Sequence, residues 1–132
     1  MLMIEEEKLD PNYDARVLIV DDEPINLLVL EELLKLNNYQ KESCASGYRA
    51  LELVRDRVRN FIPLYDIIFM DYSMPGLDGL QTTVKIRKMC KKHKIEVRPK
   101  IICLTAYSEP EYRKRAFKSG MDDFMTKPIT ND

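Results

Sequence analysis

Four short apolar runs in this chain are each followed at once by residues able to do chemistry. Val17–Val20 leads into Asp21 and Asp22, Ile67–Met70 into Asp71, Ile101–Leu104 into Thr105, and Phe124-Met125 into Thr126 and Lys127. Brought together, these ends would supply three carboxylates, a hydroxyl and an ammonium. Three acids within a few ångströms repel one another and stay ionised at neutral pH only beside a cation. Oxygen ligands with open positions suit Mg2+, with Mn2+ as a substitute. A carboxylate beside such a metal, a lysine and a hydroxyl is equipped as a nucleophile toward phosphorus. The cations neutralise charge on the transferring group while the hydroxyl binds one of its oxygens. Taken singly, each residue has a plainer reading. Asp22 could cap a helix, Thr105 could simply end a strand, and Lys127 could be one more surface lysine. Their joint occurrence at four strand ends carries the argument.

The elements that must position these groups alternate along the chain. Arg16–Val20 reads as a strand buried on both faces. Pro24 suits the first turn of a helix whose stripe is Leu27, Leu30 and Leu34, with Asn37-Asn38 as its end. Tyr39–Cys44 is a weaker strand, and Gly47–Asn60 a second helix with Leu51 and Val54 inward. Asp66–Met70 is a strand closed by Asp71. Met74-Pro75-Gly76 and Asp78-Gly79 are turn chemistry, and a third helix follows from Leu80 to His93. Lys100–Leu104 is a further strand. Ser108 with Glu111 fits a capping box, opening a fourth helix that runs to Gly120. Phe124-Met125 is a last short strand. Such alternation implies βαβ units and a doubly wound, parallel α/β sheet. In the flavodoxin-like order 2-1-3-4-5, strands one and three are neighbours, so the three acids converge beyond their carboxyl ends.

Composition excludes several classes. The 132 residues make one domain, residues 15–132, preceded by an acidic leader, residues 1–14, that carries Glu5, Glu6 and Glu7. Apolar runs of this length fall far short of the roughly 20 residues of a membrane span, and the acidic start is not a secretory signal. No membrane contact is expected of the domain. Cys44, Cys90 and Cys103 are an odd number without CxxC spacing, which argues against disulfides and zinc and for the reducing cytosol. The single histidine, His93, excludes a His-based triad within the chain. Net charge is −1, although residues 85–100 hold eight Lys/Arg against Glu96 alone. A solvated helix end is the favoured reading of that stretch, and direct nucleic-acid binding is not expected.

The motifs also carry a resemblance. Val17 to Asn26, reading VLIVDDEPIN, resembles the opening of a response-regulator receiver domain. Asp66 to Gly79, reading DIIFMDYSMPGLDG, resembles its phosphorylation segment. Ile101 to Ala106 and Gly120 to Ile129 resemble its last two strand ends, and the wording is closest to receivers of hybrid histidine kinases. The resemblance implies Asp71 as phosphoacceptor in a two-component phosphorelay. It implies Mg2+ held by Asp22, Asp71 and the backbone carbonyl of Ser73, with Asp21 reaching the metal through water. Thr105 would be the switch hydroxyl, Lys127 the partner of a phosphoryl oxygen, and Phe124 the switch aromatic that turns inward as Thr105 moves. The donor would be a phosphohistidine on a histidine kinase or histidine phosphotransfer protein, since His93 lacks a kinase context. Ser73 and Tyr107 occupy the positions that tune the lifetime of the aspartyl phosphate. Neither is an acid or amide suited to orient an attacking water, so slow self-dephosphorylation is expected. The chain is thus not a conventional enzyme.

The resemblance also implies a fifth helix after Lys127-Pro128, where the chain stops at Thr130-Asn131-Asp132. One sheet face would then hold a single helix where two are expected. Truncation of a longer protein is the favoured reading; a partner, a second copy in a dimer, or the acidic leader are the other ways to cover that face. Competing functions fare worse. An unphosphorylated interaction module predicts loss of an acid, the lysine or the threonine. A haloacid-dehalogenase-type hydrolase needs Asp-x-Asp where this chain has Asp71-Tyr72-Ser73. Flavodoxin needs a hydroxyl-rich phosphate loop where Asp21 and Asp22 would repel FMN.

Overall fold

The computed structural model describes residues 15–35 and 40–128. Within them, five strands and four helices alternate. The strands are β1 (Arg16–Val20), β2 (Gln40–Cys44), β3 (Ile67–Asp71), β4 (Lys100–Thr105) and β5 (Asp123–Thr126). The helices are α1 (Pro24–Lys35), α2 (Gly47–Arg59), α3 (Gly79–Lys92) and α4 (Pro110–Ser119). All strand pairings are parallel and the sheet order is β2-β1-β3-β4-β5, the order expected from the sequence. The leader, Asn37-Asn38, Tyr39 and the place of a fifth helix lie outside the described residues.

Side chains alternate across a strand, so each central strand feeds two cores. Leu18, Val20, Ile68, Met70, Ile101, Cys103 and Phe124 point toward α2, α3 and α4, which contribute Ala50, Leu51, Val54, Ile86, Cys90 and Ala116. Val17, Ile19, Ile67, Phe69, Ile102 and Leu104 point the other way and meet Leu30 and Leu34 of α1. This double burial explains why β1, β3 and β4 are continuous apolar runs. The edge strand β2 is exposed or partly so from Gln40 to Ser43, which made it the weaker sequence signal.

Local chemistry sets the ends. Ser46 caps α2 by accepting the Arg49 N–H, and Gly120 closes α4 at φ 111°, a left-handed position open to glycine. The expected capping box of Ser108 and Glu111 does not form. Glu109 is the cap residue of α4 and its side chain makes no capping bond, because Pro110 sets the first helical residue and leaves Ser108 one position too early. The capping box is instead at α3. Asp78 accepts the Gln81 N–H at 2.8 Å, and the Gln81 side chain accepts the Asp78 N–H at 3.1 Å. Arg87 ties α3 to the segments leading into β4 and β5, donating to the carbonyls of Pro99 (2.7 Å) and Gly120 (2.9 Å) and to Asp122 (2.7 Å).

Gly79 is where the fold comes closest to the chemistry. Its N–H donates to the Tyr72 carbonyl at 3.1 Å, and a Cβ at this position would collide with the Asp71 backbone carbonyl. Because that obstacle is backbone rather than a flexible side chain, Gly79→Ala is expected to cost about 1–3 kcal/mol of stability. It should also displace Asp71. Urea denaturation of the variant checks the first effect and a titration with Mg2+ the second.

Candidate functional site

The register of the strands decides what meets at their carboxyl edge. Val20 pairs with both Cys44 and Met70, Asp71 with Leu104, and Thr105 with Thr126. The residues after these pairs emerge together. The Asp21 N–H continues the ladder by donating to the Cys44 carbonyl at 3.1 Å, and the Lys127 N–H donates to the Thr105 carbonyl at 2.7 Å. Backbone bonds thus hold an acid and a base at opposite sides of the edge, with Asp71 between them.

Carboxylate oxygens of Asp21, Asp22 and Asp71 all lie within 4.8 Å of one another. Lys127 Nζ stands 3.0 Å from Asp71 Oδ1, to which it donates, and 3.0 Å from Asp21 Oδ2. The second contact is an ion pair without hydrogen-bond alignment, so the buried Asp21 Oδ2 has no donor. Its other oxygen accepts the Glu23 N–H at 2.9 Å. Asp22 does not cap α1. Glu23 precedes Pro24 and its carbonyl accepts the Leu27 N–H, which leaves the Asp22 carboxylate to the acidic cluster.

Three carboxylates share one ammonium here, and two of them are buried. Burial, with the neighbouring charge of Asp21, pushes the Asp71 carboxyl up to about 7, against the opposing pull of Lys127. Burial would lower the Lys127 ammonium, but its bonds and proximity to Asp71 and Asp21 outweigh that and raise it. The cluster is therefore short of positive charge. A buried carboxylate oxygen with an ion-pair partner but no aligned hydrogen bond, beside further acids, fits a divalent cation with oxygen preference.

The remaining expected residues surround this cluster. Ser73 is exposed, between Tyr72, whose N–H donates to the Leu104 carbonyl at 2.8 Å, and the buried Met74. Thr105 is buried; its Oγ1 accepts the Tyr107 N–H at 3.0 Å and makes no hydrogen bond with Asp71. Phe124 is already inward, packed in the core under the Arg113 guanidinium at 5.1 Å. Tyr107 is 44% exposed in the β4–α4 loop.

Two neighbours are new from the structure. Tyr112 of α4 stacks on Tyr107 with centroids 4.7 Å apart, and Tyr72, next to Asp71, sits edge-on to both at 5.6 and 6.4 Å. No spacing in the sequence announces this trio, whereas the Asp78/Gln81 box carries a signature of two residues three positions apart. Cys44, Cys90 and Cys103 are buried and unpaired, with burial raising each thiol.

With fold and geometry in hand, comparison with known proteins is direct. Residues 17–132 match the family described as response regulator receiver domain, and the chain belongs to that family. It is 38% identical over 126 residues to hybrid signal transduction histidine kinase L of Dictyostelium discoideum, covering 95% of this chain but 7% of that protein. Among solved structures it is similar to the receiver domain of the histidine kinase CKI1 from Arabidopsis thaliana complexed with Mg2+ and BeF3−. That match has a TM-score of 0.73 and 35% identity, over 86% of this chain and 80% of the other. It is also similar, at TM-score 0.79 and 26% identity, to a chain in a co-crystal of the Saccharomyces cerevisiae phosphotransfer protein Ypd1 with the receiver domain of Ssk1. That match covers 89% of this chain and 81% of the other. No helix among the described residues is long and apolar enough to cross a membrane.

A raised carboxyl pKa has a stability consequence. The folded state holds a proton on Asp71 that the unfolded chain releases near pH 4, so stability falls as pH rises from about 4 to about 7. Metal-free protein should therefore melt higher at pH 5 than at pH 8. Mg2+ should flatten that dependence, and Asp71→Asn should raise the melting temperature at pH 8 by several degrees. Each kcal/mol relieved corresponds to about 4 °C in a domain of this size. Thermal melts across pH, with and without Mg2+, check all three.

Proposed function

We propose that this domain is the phosphoacceptor of a phosphorelay, taking a phosphoryl group from a phosphohistidine onto Asp71 and working within a hybrid histidine kinase. The observation that carries the reading is Lys127 set 3.0 Å from both Asp71 and Asp21 at an acidic sheet edge with spare negative charge. The Mg2+-and-BeF3− complex of the CKI1 receiver and the Ypd1 co-crystal support the cofactor and the class of partner.

Mg2+ held by Asp21, Asp22, Asp71 and the Ser73 carbonyl would supply the positive charge the cluster lacks and draw in phosphoryl oxygens. An ionised Asp71 oxygen attacks phosphorus. The P–N bond of the donor breaks, and its electron pair goes to the imidazole nitrogen, which takes up a proton. Lys127 opposes protonation of Asp71 before transfer and pairs with a phosphoryl oxygen afterwards. Thr105, whose Oγ1 accepts the Tyr107 N–H, moves toward the phosphoryl group and donates its hydroxyl hydrogen to another oxygen. The added charge, close to −2, is what that movement answers.

The donor has to come from another domain or chain, because His93 lies at the end of α3. Ile25 and Leu28, exposed at 74% and 59% on α1 just after the acids, offer apolar contact beside the pocket for such a protein. The buried, unpaired thiols agree with a reducing compartment.

Incubation with acetyl phosphate and Mg2+ should add one phosphoryl group by intact mass. The gain should vanish on chelation and in Asp71→Asn. Failure of the folded parent to gain mass would leave an interaction module as the better reading. With Ser73 and Tyr107 at the positions flanking the site, the acyl phosphate should survive well beyond seconds. Loss within seconds after donor removal would contradict that lifetime.

A further inference from the structure

The Tyr107 N–H donates to Thr105 Oγ1 at 3.0 Å, so movement of Thr105 toward a phosphoryl group on Asp71 with this bond kept carries the β4–α4 loop along. Phe124 does not stand in the way, being already buried beneath Arg113. The loop is held from the other side. Tyr107 lies flat on Tyr112, with centroids 4.7 Å apart and planes at 18°. Tyr72 closes the group with edge contacts to both rings, at 6.4 Å and 5.6 Å. Tyr72 itself is fixed, buried in the core with its N–H on the Leu104 carbonyl. Tyr112 is fixed by the first turn of α4. The exposed member is Tyr107, in the loop between β4 and α4.

We propose that Tyr112 and Tyr72 are positioning residues for the phosphoryl switch: they clamp Tyr107, and through it hold Thr105 in its resting place. The inference rests on Asp71 as phosphoacceptor. The clamp and the phosphoryl group compete for one loop. Part of the binding free energy of the anion is spent separating Tyr107 from its two neighbours, and the first turn of α4 is released as that happens. The tyrosine trio therefore sets how far the empty domain favours its resting state, and it couples Asp71 to the α4 surface.

The test is the affinity of the whole domain for beryllofluoride, an acyl-phosphate mimic, in saturating Mg2+, measured by isothermal titration alongside thermal melts. Tyr112→Ala removes the stack and should bind beryllofluoride about two- to tenfold more tightly, the range an aromatic pair accounts for, while melting lower. Tyr112→Phe keeps the rings and should match the parent. Tyr112→Leu retains apolar bulk without stacking and decides the matter in the same way should the alanine variant not fold. A merely structural tyrosine would lower the melting temperature and leave the affinity unchanged or weaker, and that result overturns the clamp. Absence of beryllofluoride binding by the folded parent would instead remove the phosphoacceptor reading, and the clamp with it.

Discussion

The structure depends on one electrostatic constraint: three carboxylates are held together at the edge of a parallel sheet with a single ammonium between them. Nothing in the folding of isolated strands favours that arrangement. It is imposed by the register of β1, β3 and β4, whose buried apolar side chains hold them against sliding, and by the backbone bond that pins Lys127 to Thr105 after β5. A one-residue slip of β1 would exchange Leu18 and Val20 with Val17 and Ile19 between two different cores. The hydrophobic energy of both layers thus holds Asp21 and Asp71 where their charges repel. The raised carboxyl of Asp71 is the expression of that conflict.

The same constraint explains the placement of the switch parts. Lys127 reaches both acids because its backbone is pinned to Thr105 at 2.7 Å, so the base and the hydroxyl share one anchoring bond. Thr105 is buried yet free of Asp71, its oxygen occupied by a backbone N–H two residues on. A site with its cation partner fixed and its hydroxyl parked differs from a catalytic pocket in which every group already faces the substrate. That arrangement agrees with the proposed switching role.

Much of this was legible in the sequence because the strand ends are sharp. Each central strand is apolar on both faces and stops at a polar residue, so Asp21, Asp22, Asp71, Thr105 and Lys127 could be placed at one edge before any coordinates. The start of α4 was not legible in the same way. Ser108 and Glu111 have the spacing of a capping box, but the ring of Pro110 decides where the helix begins. Asp78 reads as turn chemistry until Gln81 is seen to answer it across the first turn of α3. The tyrosine trio could not have been anticipated. Tyr107 and Tyr112 flank the start of α4, and Tyr72 joins them only through the pairing of β3 with β4. The proton affinity of Asp71 was likewise hidden, since it depends on burial and not on residue type.

The three cysteines carry a consequence of a different kind. All are enclosed in the core, and the Cys103 thiol is pushed up to about 12, by burial and then by the nearby Asp71. A thiol so reluctant to ionise is a poor nucleophile toward peroxide or disulfide. The acidic edge beside Cys103 is therefore sheltered from covalent oxidation of its nearest thiol, and an oxidising episode leaves the charges there as they were.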